Sequence, residues 1–241
     1  KNFDMPAVAI TDHGNLFGAI EFYQKATAAG IKPIIGCEAY MAPKSRLDRE
    51  GQGPFAHNEY FHLILLAANR TGYQNLLTLA SKAYLEGFYY KPRMDKELLA
   101  EHHEGLIALS GCLSGEVPNL IGKDRLEDAV RTAAEYRDMF GKDNYFLEVQ
   151  ENAVPEQQIA NQGLRDIHKR LGIPLVATND CHYLTKAHAR VHDILLCLQT
   201  GKTVNETNRL RFNTDQLYVK STDEMLAAFH EWPEAVWNTG R

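Results

Sequence analysis

A chain of 241 residues with 44% hydrophobic and 24% charged residues has the balance of a soluble globular protein and enough length to bury a core. None of its apolar runs approaches the roughly 20 residues of a membrane span, and a net charge of −5 argues against a surface that grips duplex phosphate throughout. Four cysteines, Cys37, Cys112, Cys181 and Cys197, are too few for a disulfide framework and point to a reducing, cytoplasmic compartment. The chain opens on Lys1 and runs at once into a strand pattern, which reads as a fragment whose beginning is missing.

Short apolar runs alternate with helical patterns. The first strand is expected at residues 7–10 and a helix at 16–28, then a strand at 33–36. Residues 43–58, "PKSRLDREGQGPFAHN", are polar and rich in Gly and Pro, and are expected to form a mobile surface loop. A strand at 62–67, a helix at 72–86 and a strand at 106–109 follow. The helix expected at 126–140 carries Leu126, Ala129, Val130, Ala133 and Ala134 at spacings of three and four. A strand at 145–149, a helix at 156–171 and a strand at 174–177 complete the series. Continuous apolar strands between helices imply a parallel sheet covered on both faces. At this length a barrel is the natural closure, with a doubly wound open sheet as the alternative. From about Gln199 the pattern changes: "LRFNTDQLYVKSTDEMLAAF" reads as short strands and then a helix opened by Thr222.

The strand ends carry the chemistry. "AVAITDHG" ends the first run with Asp12 and His13, the second runs into Glu38, and "SGC" places Cys112 after the fourth. The last ends in Asp180, Cys181 and His182. Carboxyl ends of parallel strands meet on one edge, where active sites form. In extended backbone Asp180 and His182 point to the same side. His62 precedes its run and lies at the wrong end by this rule. Taken singly, each histidine is more often a satisfied structural residue, Cys112 a small buried hydrophobe and Asp12 a cap of the turn or helix that follows. Their coincidence points to a site. A mixed set of imidazole, carboxylate and thiol suits zinc, manganese or iron, with more donors than one tetrahedral ion uses. Clustered ions of this kind hydrolyse phosphate esters. Two further stretches are weaker. "GFYYKPR" interleaves aromatics with Lys91 and Arg93, as nucleic-acid sites do, although core aromatics with solvated cations explain it as well. "SGCLSGE" offers a Gly-bearing turn before a helix, able to present amides to an anion.

The stretches "AVAITDHGNLFGAIEFYQKATAAGIKPIIGCEAY", "FHLILLAANRTGYQNLL", "GFYYKPR", "SGCLSGE" and "ATNDCHYL" resemble the PHP (polymerase and histidinol phosphatase) domain of bacterial DNA polymerase III alpha subunits. The resemblance implies an irregular (β/α)7 TIM-like barrel over residues 1–198, lacking its first strand, and an extension over 199–241 leading toward a polymerase body. It implies a multi-metal site at His13, Glu38, His62, Cys112, Asp180 and His182, and His62 enters the set on this ground. Three further ligands of the family, in a His-x-His segment and soon after it, would precede Lys1. Zinc or manganese are the implied ions, with magnesium as the other candidate, and some ion positions would be incomplete in a chain opening here. The implied activity is a metal-dependent 3′–5′ proofreading exonuclease. His13 and Asp180 would serve the chemistry, with Asp12 orienting a ligand or water. DNA-directed DNA synthesis would belong to the full protein, whose acidic palm triad lies beyond Arg241. The implied partners are the remaining polymerase domains, a proofreading exonuclease subunit, other replicase subunits and primer–template DNA, with no membrane. Two alternatives stand beside this reading. One is a catalytically inactive structural module that docks the proofreading subunit. The other is a free-standing histidinol-phosphatase-like enzyme, against which "GFYYKPR" and "LLCLQTGK" speak.

Overall fold

In the computed structural model, which describes residues 3–49 and 60–241, the apolar runs become strands of one curled sheet, a partial TIM-like barrel. They are β1 (Ala7–Ile10), β2 (Lys32–Met41), β3 (Phe61–Ala67), β4 (Phe88–Tyr89), β5 (Lys91–Met94), β6 (Leu106–Leu109), β7 (Tyr145–Gln150) and β8 (Leu175–Thr178). The order is β4-β5-β2-β3-β6-β7-β8. β1 pairs in parallel with the first half of β2, and β5 pairs with its last residues along the same edge.

The sheet is not wholly parallel, which corrects the sequence expectation. β3 runs antiparallel to both β2 and β6. Its beginning therefore lies beside the ends of β2 and β6, and His62, at that beginning, lies on the edge where the other strand ends lie. β4 and β5, unexpected from the sequence, form a tiny hairpin turning on Tyr90 at φ 58°. Residues 210–220 contribute only an isolated bridge, Tyr183 to Tyr218, rather than strands. Their polar groups go to the β8 end instead: Asn179 Nδ2 donates to the carbonyls of Gln216 and Tyr218.

Alternation divides each strand between two cores. Leu63, Leu65, Leu106, Ala108, Tyr145, Leu147, Val149, Leu175 and Ala177 face outward into the main core. There they meet Leu76 and Leu79 of α2 (Arg70–Leu85), Ala133 and Tyr136 of α5 (Leu126–Phe140), and Leu164 and Ile167 of α6 (Pro155–Leu171). Ile64, Leu109, Phe146 and Val176 face the other way and form a small inner core. That inner layer is the floor on which the strand-end residues sit.

Local signals fix the helices. α1 (Ala19–Ala28) follows Gly18, and Asn69 caps α2 by accepting from the amide of Gly72. Asp95 caps the short α3 (Lys96–Glu101) and also accepts from Arg46. α4 (Glu116–Gly122) follows "SGCLSGE". α6 opens on Pro155 and closes on Gly172 in the left-handed region. α7 (Ala189–Thr200) follows β8. α8 (Thr222–Ala228) has a capping box between Ser221 and Glu224, and α9 (Pro233–Trp237) comes after it. Phe229, Ala235 and Val236 belong to the same main core as the strands, so residues from the 199–241 extension pack on the barrel. None of the described helices is long and apolar enough to cross a membrane.

Of the loop expected at 43–58, residues 50–58 lie outside the described ones. The part before them is pinned rather than free: Arg46 pairs with Asp95 and Glu86, and Arg93 donates to the carbonyls of Arg46 and Asp48.

The tightest helix-to-loop approach is at Gly72, where an added Cβ would lie 1.8 Å from the carbonyl oxygen of Gly105. Gly72→Ala is expected to lower the urea-unfolding free energy by about 2 kcal/mol or more. Gly122→Ala, where an added Cβ meets nothing within 4 Å, is expected to change it by less than about 1 kcal/mol.

Candidate metal centre

Glu38 is the centre of the cluster. Its carboxylate is nearly buried, at 7% side-chain exposure, on the inward face of β2. Oε1 accepts from His62 Nδ1 at 2.6 Å, and Oε2 lies 3.2 Å from His13 Nδ1. Burial works to raise the pKa of Glu38, but the hydrogen bond from His62 and the fields of His13, His62 and His182 outweigh it. The carboxyl is held below its ordinary value. The pKa of His13 is lowered as well, in its case by burial, against the pull of Glu38. Donor atoms of His13, Glu38 and His62 all lie within 4.8 Å of one another, close enough to hold one metal ion.

Backbone contacts set these positions. The β1–β2 pairing continues past Ile10: the amide of Glu38 donates to the carbonyl of Asp12, and that of Gly14 donates to Glu38. Gly14 sits at φ 64° under the Tyr40 ring, where a Cβ would lie 2.7 Å from Tyr40 Cε2. On the other side His62 donates its amide to Ser114, and Gly111, at φ 80°, presses against the His62 carbonyl. The "SGCLSGE" turn thus packs on β3. It brings Cys112 Sγ to 3.7 Å from His62 Nδ1 and 3.9 Å from Glu38 Oε1.

Asp180 and His182 approach from β8. They are not on extended backbone, as the sequence suggested, because β8 ends at Thr178 and Asp180 takes φ 46°. The turn still brings them together: His182 Nδ1 is 2.7 Å from the Asp180 carbonyl oxygen and 3.8 Å from its carboxylate. Both are close enough for their charges to act on His13 and Glu38. Burial raises the pKa of Asp180, with the charge of Glu38 adding to it and that of His182 opposing it.

Two expected residues go elsewhere. Asp12 is exposed, and its Oδ2 lies beside Gly18, where a Cβ would come within 3.1 Å. The structure gives it to the start of α1 rather than to the cluster. Arg93 is buried and donates to the carbonyls of Gly87, Arg46 and Asp48, so its guanidinium is used inside the fold. Lys91 is half-buried, with Nζ 5.3 Å from the centre of the Tyr40 ring.

Sequence reasoning missed Glu148. It lies inside "YFLEVQ", which reads as a continuous buried strand, yet alternation turns it inward with Phe146 and away from Leu147 and Val149. Burial pushes its carboxyl up to about 7, against hydrogen bonds from Thr178 and Gln150. An unfolded carboxyl ionises near 4.5, so the native state keeps a proton that the unfolded state loses. The resulting stability is full below about pH 4.5 and disappears as pH rises through about 7. Glu148→Gln removes this contribution. In chelator-treated protein, the unfolding free energy of the variant relative to wild type is expected to rise by up to about 3 kcal/mol between pH 4.5 and 7. A difference independent of pH over that range would mean that Glu148 ionises normally.

Comparison with known proteins agrees with this architecture. The chain is 50% identical over 241 residues to the DNA polymerase III subunit alpha of Treponema pallidum, covering 100% of this chain and 20% of that protein. It is 53% identical over 232 residues to the subunit of the same name from Thermus aquaticus, covering 96% and 19%. It is 48% identical over 233 residues to that of Deinococcus radiodurans, covering 95% and 17%. The chain thus spans about a fifth of the length of these relatives. A family model described as "PHP domain" matches residues 1–152, and with the inward-facing His13, Glu38 and His62 on a partial barrel it follows that the chain belongs to the PHP domain family.

Proposed function

We propose that the chain is the PHP portion of a bacterial DNA polymerase III alpha subunit, and that its strand-end cluster is a metal-dependent phosphoesterase trimming primer 3′ ends. The observation that carries this reading is Glu38, a buried carboxylate between two imidazoles with a thiol within 4 Å. The donor set fits a divalent ion of borderline softness, and its first three donor atoms already lie close together. His13, Glu38 and His62 would hold such an ion, and Cys112, Asp180 and His182 would complete its shell or that of a second one. Zinc or manganese bound there supplies Lewis acidity toward a phosphodiester and acidifies nearby water.

The chain's own residues do the rest. Glu38 orients both imidazoles. Burial lowers the pKa of His13 against the field of Glu38, and this lowering favours the neutral ring that a metal requires. The floor of Ile64, Leu109, Phe146 and Val176 keeps water from beneath the cluster and lowers the local dielectric, which strengthens each charge interaction above it. Lys91, beside Tyr40, would meet a backbone phosphate. Asp12 and Arg93 take no part. Primer–template DNA, the rest of the polymerase chain and a proofreading subunit are the proposed partners, and the cytoplasm is the proposed compartment.

The test uses the full chain, stripped of metal and reloaded, with a primer mismatched at its 3′ end. Stoichiometric zinc or manganese is expected by elemental analysis. Release of 3′ nucleotides is expected to fall roughly hundredfold or more in His13→Ala and Asp180→Ala, with DNA synthesis followed separately. Bound metal without hydrolysis would leave a metal-held scaffold that docks other subunits. Absence of metal would overturn the centre altogether.

A further inference from the structure

The six candidate donors fall into two groups. His13, Glu38 and His62 are tied together directly through the Glu38 carboxylate. Cys112 follows β6, while Asp180 and His182 follow β8, and β7 lies between those two strands. Glu148 occupies this gap. Its Oε2 accepts from the amide of Gly111 at 3.1 Å, next to Cys112. Its Oε1 accepts from Thr178 Oγ1 at 2.5 Å and Gln150 Nε2 at 3.1 Å, and Thr178 is the last residue before the Asn179–Asp180 turn. Its own amide donates to Ser110 Oγ at 2.8 Å. One side chain at 4% residue exposure thus joins both flanking strand ends. A carboxyl group buried this deeply is costly unless each of its oxygens is used, and here both are.

We infer that Glu148 is a positioning residue that holds the Cys112 turn and the Asp180–His182 turn in place, so that both present their donors to the ion held by His13, Glu38 and His62. The inference rests on the metal reading above, but the tie itself does not. Glutamine at this position keeps it. Its oxygen accepts from Gly111, and its amide nitrogen donates to Thr178 and, once the Gln150 amide turns over, to Gln150 Oε1. That oxygen is buried and has no hydrogen-bond partner among the described residues.

The experiment compares Glu148→Ala and Glu148→Gln in the full chain. Hydrogen exchange is followed in the metal-free protein. Cobalt(II) is then titrated in, and the thiolate-to-cobalt absorption band is assigned to Cys112 by its loss in Cys112→Ser. In Glu148→Ala, exchange is expected to speed up about tenfold over residues 109–113 and 177–183 together, with α5 and α6 unchanged. The band disappears, and cobalt affinity falls roughly tenfold to hundredfold. Glu148→Gln restores all three. Should the alanine variant fail to fold, Thr178→Val removes the bond to Glu148 on the β8 side, with the long one from Gln150 Nε2, but leaves the bond to Gly111, and is expected to speed exchange over 177–183 alone. Exchange that rises everywhere or in neither segment, or a band and affinity unchanged in Glu148→Ala, overturns the role given to Glu148. An unaltered chain that takes up no cobalt overturns the metal reading, whatever Glu148 does.

Discussion

A carboxylate buried inside a barrel has to be answered by something cationic or hydrogen-bonding, and much of this fold is arranged so that Glu38 is. Its two partners come from different strands. His13 arrives because β1 keeps pairing with β2 beyond its last residue, and His62 because the β2–β3 register sets it opposite Tyr40. A slip of one residue in β3 would turn His62 outward and leave one oxygen of the buried Glu38 carboxylate without its imidazole. Register and site therefore specify each other: the pairing that places the donors is also the pairing that their charges enforce.

The floor beneath gives those charges their strength. Ile64, Leu109, Phe146 and Val176 come one from each of four adjacent strands, and all but Leu109 stand two positions from a polar residue on the same face. Two residues along from Phe146 stands Glu148, and two along from Val176 stands Thr178. Two residues before Ile64, on the reversed strand, stands His62. The interior of the barrel is thus layered, apolar below and titratable above, and one period-two pattern writes both layers.

That pattern also marks what could be read in advance. Apolar runs of β-branched and small residues mark β1, β6, β7 and β8 to within a residue, and the spacing of Leu126, Ala129 and Ala133 marks α5. The direction of β3 was not legible, because strand sense is a property of pairing and leaves no trace in "FHLILLA". β4 was hidden because two residues show no period, and β5 because its four residues, "KPRM", form no apolar run. Arg93 reads as a phosphate ligand in "YYKPR", and only the burial of β5 shows that its guanidinium meets backbone carbonyls. Glu148 was within reach: a lone acid in "YFLEVQ" breaks a buried strand, and an unexplained charge there is itself a signal. The left-handed turn at Asp180 was not, since the expectation of extended backbone gave the right neighbours for the wrong reason.

Because the main-chain amides of Glu38, Gly14 and His62 are all engaged in inter-strand or strand-to-turn hydrogen bonds, the donors around Glu38 ride on the sheet rather than on free loops. Their conformational entropy is lost when the barrel folds, not when a ligand arrives. A centre built this way has little freedom to widen or contract around what it binds. Under the proposed metal reading, discrimination between ions of different radius would be a property of strand pairing, set by how β1 and β3 lie against β2 as much as by the identity of the donors.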